Sequence, residues 1–130
     1  MLPPLKPLDE SKCSEGAVQA YCFMYAWNYL PELRYCLFAV PNGGRRQKIE
    51  GAQLKGMGVV AGITDCILLW EGKAYGLEFK TLKGKARETQ LKCHAAWKKQ
   101  GIDTYIIREF DPFQELIHGI TGIEILYRKP

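Results

Sequence analysis

The order in which helical and strand patterns alternate along the 130 residues predicts a single α/β domain. Three features predict it. Residues 14–30 carry an apolar stripe at helical spacing, residues 66–77 hold two short apolar runs about a turn, and residues 87–100 form a polar helix that stops at Gly101 just before another apolar run. No apolar run approaches the roughly 18 residues that a membrane span needs. The opening MLPPLKPLDESK has no signal-peptide core, so a cytosolic chain without membrane partners is expected.

Residues 1–13, with Pro3, Pro4 and Pro7 and no periodicity, read as an extended arm, and residues 14–130 as the domain. Ser14 can cap a helix, Glu15 suits its positive end and Pro31 stops it. Val18, Tyr21, Cys22, Tyr25 and Tyr29 make the buried stripe. Residues 35–40 read as a buried strand ended by Pro41. Asn42-Gly43-Gly44-Arg45-Arg46 follows as a turn whose arginines suit phosphate contact. A short helix over residues 47–55 and a loop punctuated by Gly56, Gly58 and Gly62 come next. Beyond residue 100, residues 104–108 read as a strand, Asp111-Pro112 opens a short helix, and residues 123–127 read as an edge strand or interface segment.

The chemistry concentrates in residues 62–90. Glu71-Gly72 is hairpin punctuation between Cys66-Ile67-Leu68-Leu69-Trp70 and Ala74-Tyr75-Gly76-Leu77. A two-residue turn pairs Trp70 with Lys73, and the same register carried back places Asp65 opposite Glu78. Residues opposite one another share a face, with Cβ atoms about 4.5–5.5 Å apart. Lys80 points the same way and Leu77 and Phe79 the other. A three-residue loop would instead set Asp65 against Phe79. Like charges directly opposed are destabilising, so a carboxylate pair there calls for a cation, and hard oxygen donors suit magnesium or manganese. Gln90, His94 and Trp97 share one face of the following helix, turned toward the hairpin.

Charge supports an anionic partner. The net charge is +4, and between Lys73 and Lys99 eight basic residues face two acids. A basic field beside a carboxylate pair favours nucleic acid. Five cysteines with no CxxC pair exclude a structural zinc ribbon and read as reduced core residues. Cys93 and His94, being helix neighbours, point to different faces and do not form a nucleophile pair.

The ordered set of Glu15, Pro41-Asn42-Gly43-Gly44, Gly58 to Gly62 leading into Asp65, then Glu78-Phe79-Lys80, Gly84, Gln90 and Trp97 resembles the virus-type replication-repair nuclease (VRR-NUC) domain, a branch of the PD-(D/E)XK nuclease superfamily. The similarity runs from about residue 15 to residue 115. Thr64 stands where the superfamily motif has proline, which touches the local backbone more than the ligand set. The resemblance implies a central mixed sheet flanked by helices in the order αβββαβ, with residues 14–130 as one nuclease domain in a phage or bacterial cytosol. It implies that Asp65, Glu78 and the Phe79 carbonyl bind one or two Mg2+ or Mn2+ ions, with Glu15 joining directly or through water. Lys80 would act on the attacking water and the phosphate, and Gln90 would fix the site. Asn42, Arg45, Arg46, Lys83, Lys85 and Arg87 would hold DNA. The expected activity is metal-dependent DNA endonuclease action on branched DNA such as Holliday junctions or flaps. A homodimer is expected, to which the first helix adds apolar residues on more than one face. The alternative is a non-catalytic nucleic-acid-binding module of the same fold.

Overall fold

The computed structural model describes residues 2–41, 53 and 55–130. Its first helix, α1 (Glu15–Tyr29), starts as its residues require: the Ser14 hydroxyl accepts from the Ala17 amide at 3.1 Å, satisfying one of the free N–H groups of a helix start. Val18, Cys22, Tyr25 and Ala26 are its buried face. A single turn over Pro31–Leu33 then leads to β1 (Leu37–Ala39).

The hairpin has the expected register. Strands β2 (Cys66–Trp70) and β3 (Lys73–Phe79) pair antiparallel from Trp70↔Lys73 to Cys66↔Leu77. Glu71 and Gly72 both take positive φ, 50° and 77°, as in the two-residue turn whose twist matches that of the strands. Helix α2 (Glu88–Lys99) then carries the chain over to β4 (Asp103–Ile107), which pairs parallel with β3. Helix α3 (Phe110–Thr121) follows. The sheet order is β1-β2-β3-β4, mixed and flanked by helices, as expected.

Strand β3 lies between two neighbours and is covered on both faces, so its last four residues are all buried. Leu77 and Phe79 join the core with Cys22 and Tyr25 of α1 and Phe113 and Ile117 of α3. On the other face Gly76 lets α2 dock. A Cβ there would come within 2.9 Å of both the Trp97 ring and the Thr64 methyl.

Four expectations change. The strand expected over residues 35–40 shrinks to the three-residue edge strand β1, with Phe38 and Ala39 exposed. Tyr35 lies outside it, 89% exposed at φ 72°. An edge strand has a neighbour on one side only, so apolar composition alone does not bury it. Helix α3 is capped from a distance. Its N-cap residue is Glu109, Asp111 sits in the first turn, and the Phe110 amide donates to Glu10 Oε2 at 2.5 Å. The tail over residues 123–127 forms no strand. It packs on the helices, with the Tyr127 ring 4.4 Å from that of Tyr29 and its carbonyl accepting from Gln114 Nε2 at 2.6 Å. The described arm is extended up to a single 3-10 turn at Glu10–Lys12 and is tied down: Leu5 is buried, and Lys129 from the tail pairs with Glu10. The turn with Asn42, Arg45 and Arg46 and most of the short helix over residues 47–55 lie outside the described residues. Among those described, no helix is long and apolar enough to cross a membrane.

Candidate active site

Asp65 stands one step beyond the last ladder pair of β2. Its backbone carbonyl accepts from Val40 N at 2.7 Å, and its carboxylate Oδ2 accepts from Phe79 N at 2.7 Å. The first bond continues the β1–β2 ladder by one step, and the second ties the Asp65 side chain to β3 next to Glu78. The preceding residue, Thr64, is fully buried and its hydroxyl donates to the Cys66 carbonyl at 3.1 Å. A side-chain hydrogen bond thus orders the backbone just before β2.

The peptide joining Phe79 to Lys80 is directed by β4. Lys80 N donates to the Ile107 carbonyl at 3.0 Å. In a trans peptide the N–H and C=O point to opposite sides, and no peptide is cis among the described residues. The Phe79 carbonyl is therefore directed away from β4, to the side where Asp65 lies.

Glu78 is 1% exposed, and helix α2 closes over it. Gln90 Nε2 donates to Glu78 Oε1 at 3.0 Å, while Gln90 Oε1 accepts from Arg87 N at 2.8 Å. One side chain thus caps α2 and orients a carboxylate. Gly62 permits this approach: it has φ +88°, and a Cβ there would lie 2.3 Å from the Thr89 carbonyl. Burial, followed by the adjoining Asp65 carboxyl, pushes the Glu78 pKa up to about 8; Lys80 opposes this and Glu15 adds to it. Lys80, 7% exposed, shares the Glu78 face of β3. His94, one helical turn beyond Gln90, brings Nε2 to 3.7 Å from Glu78 Oε2. Its pKa is lowered by burial and then by the Lys80 charge. His94 Nε2 is buried without a hydrogen-bond partner among the described residues.

The structure brings Asp65, Glu78, Lys80 and Gln90 together. Glu15 is exposed in the first turn of α1 and acts on Glu78 through its charge. Lys83, Lys85 and Arg87 are exposed on the loop between Lys80 and α2. Arg108 was not singled out by the sequence. It holds that loop, with Nη1 donating to the Thr81 and Gly84 carbonyls at 2.6 Å each. No sequence signal marks it, because the bond spans a crossover. The place of His94 was visible only as a helix face. Cys93 is a buried thiol with a raised pKa, caused first by burial and then by Glu78. That direction opposes thiolate chemistry.

The donors are oxygens of the kind that a hard divalent cation takes. Two carboxyl groups crowd together, and the Phe79 carbonyl is directed to the side where they lie. Among the described residues, no three Asp, Glu, His or Cys side chains converge as one metal-holding group. The remaining positions around an ion would fall to backbone, water or substrate.

No family model matches the chain, and no curated protein matches it. Among solved structures, a VRR_NUC domain protein superposes with a TM-score of 0.66, covering 82% of this chain and 86% of that one at 19% identity. The chain therefore has the fold of that protein, the PD-(D/E)XK core expected from the ordered motifs.

Proposed function

We propose that the chain is a metal-dependent nuclease that hydrolyses phosphodiester bonds in DNA, acts on branched substrates such as junctions or flaps, and works as a homodimer. The observation that supports it most is the crowding of Asp65 and Glu78 at the end of the β2–β3 ladder, with Lys80 buried on the Glu78 face. Residues 14–130 would form the catalytic unit.

Asp65, Glu78 and the Phe79 carbonyl would hold one or two Mg2+ or Mn2+ ions, with Glu15 contributing directly or through water. Bound metal supplies a hydroxide at neutral pH and a counter-charge for the phosphate. The protein groups do the positioning. Phe79 N holds Asp65 and Gln90 holds Glu78, so the two carboxyl groups keep fixed directions. The Lys80 ammonium, mostly shielded from solvent, would orient the attacking water and offset phosphate charge. Lys83, Lys85 and Arg87 would grip the backbone, which positions DNA without reading its sequence. Asn42, Arg45 and Arg46 are assigned the same role from the resemblance alone. A two-fold pair would let two single-strand cuts meet across a symmetric junction. Exposed Met24 and Trp27 on α1 offer apolar surface for it.

The test uses end-labelled four-way junction, flap and linear duplex of matched sequence, each with Mg2+, Mn2+ or chelator, beside light scattering of the protein. Metal-dependent cutting, faster on the branched substrates, by a species of twice the 14.8 kDa chain mass is expected. DNA binding without cleavage under every metal condition would instead identify a non-catalytic nucleic-acid-binding module.

A further inference from the structure

Between Lys80 and α2 the chain runs Thr81-Leu82-Lys83-Gly84-Lys85, an exposed loop that carries two cations. It closes as a turn in which Gly84 N donates to the Thr81 carbonyl at 3.2 Å. Gly84 keeps that turn tight, since a Cβ there would lie 2.9 Å from Thr81 Oγ1. The same Cβ would lie 3.7 Å from Lys80 Cβ, so the turn rests against the stem of the active-site lysine.

Arg108, just past β4, meets the loop from across the crossover. Its Nη1 carries two hydrogens, and the Thr81 and Gly84 carbonyls accept from it at 2.6 Å each, with the Leu82 carbonyl farther off at 3.5 Å. In a trans peptide the N–H of the next residue points opposite to the carbonyl. Drawing three carbonyls onto one guanidinium therefore turns the amides of Leu82, Lys83 and Lys85 away from it, on residues that are all exposed. None of the three amides has an acceptor among the described residues. Neighbouring N–H groups turned outward suit an anion. Here the Lys83 and Lys85 ammonium groups flank them, while the carbonyl oxygens that would repel an anion are held on Arg108.

We infer that Arg108 is a positioning residue for nucleic acid: it sets the loop so that the main-chain amides of Leu82, Lys83 and Lys85, together with the two lysine side chains, receive backbone phosphate beside Lys80. This rests on the DNA reading of the proposed function. Contacts of this kind fix the strand without reading its sequence.

Amide spectra of the full chain are followed by nuclear magnetic resonance as a linear duplex is added in chelator. Duplex affinity is measured by fluorescence anisotropy against salt for the wild type, Arg108→Lys and Arg108→Ala. The wild-type Leu82, Lys83 and Lys85 amide protons should move downfield as they donate to phosphate. Lysine keeps the charge of Arg108 but lacks the planar fork. Arg108→Lys should therefore lose about tenfold in affinity, because its loop must be ordered on binding, with the salt slope of the wild type. Unmoved α3 amides in that variant show that the loss is the loop's and not the fold's. An Arg108→Lys protein that binds as the wild type does, with Arg108→Ala lowering the slope by about 0.9, makes Arg108 itself a phosphate contact and overturns the inference. Leu82, Lys83 and Lys85 amides that stay in place while duplex binds overturn it as well, and that wild-type result decides even should the variants fold poorly. A wild type that binds no duplex overturns the DNA reading itself, whereas binding indifferent to Arg108 overturns this inference alone.

Discussion

Replacing Glu78 by glutamine should stabilise the metal-free fold, and by an amount that grows with pH. The Glu78 carboxyl has its pKa raised from 4.5 to about 8. Below pH 4.5 both the folded and unfolded chains hold the proton, and the group adds nothing. Between the two values the unfolded chain releases the proton while the fold retains it, so native stability falls as pH rises, and above about 8 the loss is complete. The span is roughly three and a half pH units at about 1.4 kcal/mol each. The destabilisation is therefore about 3 kcal/mol at pH 7 and about 5 kcal/mol above pH 8. Glutamine keeps the carbonyl that accepts from Gln90 and presents an N–H in place of the second oxygen, near the Asp65 carboxylate. In a domain of this size about 3 kcal/mol corresponds to roughly 10 °C in Tm. Thermal unfolding in chelator from pH 5 to 9 measures the difference, and titrating groups remote from Glu78 cancel between the two proteins. A Glu78→Gln protein that melts below the wild type at pH 8, or by a margin independent of pH, refutes the reasoning.

Lys80→Ala should abolish cleavage while Mn2+ binding persists, because the lysine acts on water and phosphate; calorimetry that shows no metal bound would make it a structural support instead. Lys85→Ala should weaken duplex binding alike across sequences and lower the salt slope by about 0.9 for each phosphate no longer engaged, as measured by fluorescence anisotropy against salt. Gly76→Ala should cost about 1–3 kcal/mol in denaturant unfolding, since its Cβ would press on the Trp97 ring and on Thr64 and Thr104 at 2.9–3.0 Å.

The hairpin was legible because its register follows from a local feature, the Glu71-Gly72 turn, and holds as far as Cys66↔Leu77, one step short of Asp65. The helix bearing Gln90 was legible from its periodicity and from Gly101, which takes φ +80° just past its end. What escaped depends on contacts remote in sequence. Apolar composition cannot tell that β1 lies at a sheet edge, which leaves Phe38 exposed. The alternation over residues 123–127 suits a strand, but Gln114 and Tyr29 hold that segment on the helices. The partner of the Phe110 amide is Glu10, 100 positions earlier. The closeness of His94 to Glu78 is set by how deeply α2 docks, which Gly76 and Gly62 permit and neither announces.

The most direct test of the nuclease assignment compares wild type and Asp65→Asn for single-turnover cleavage of a labelled four-way junction in Mg2+, with DNA affinity measured in parallel. Asp65 is held by one amide and is only half-buried, so the substitution should leave the fold and the basic loop intact. Loss of metal-derived stabilisation worth several kcal/mol predicts a rate lower by on the order of 10³-fold or more, with junction affinity within about twofold of wild type. Cleavage by Asp65→Asn at a rate close to that of the wild type would contradict it.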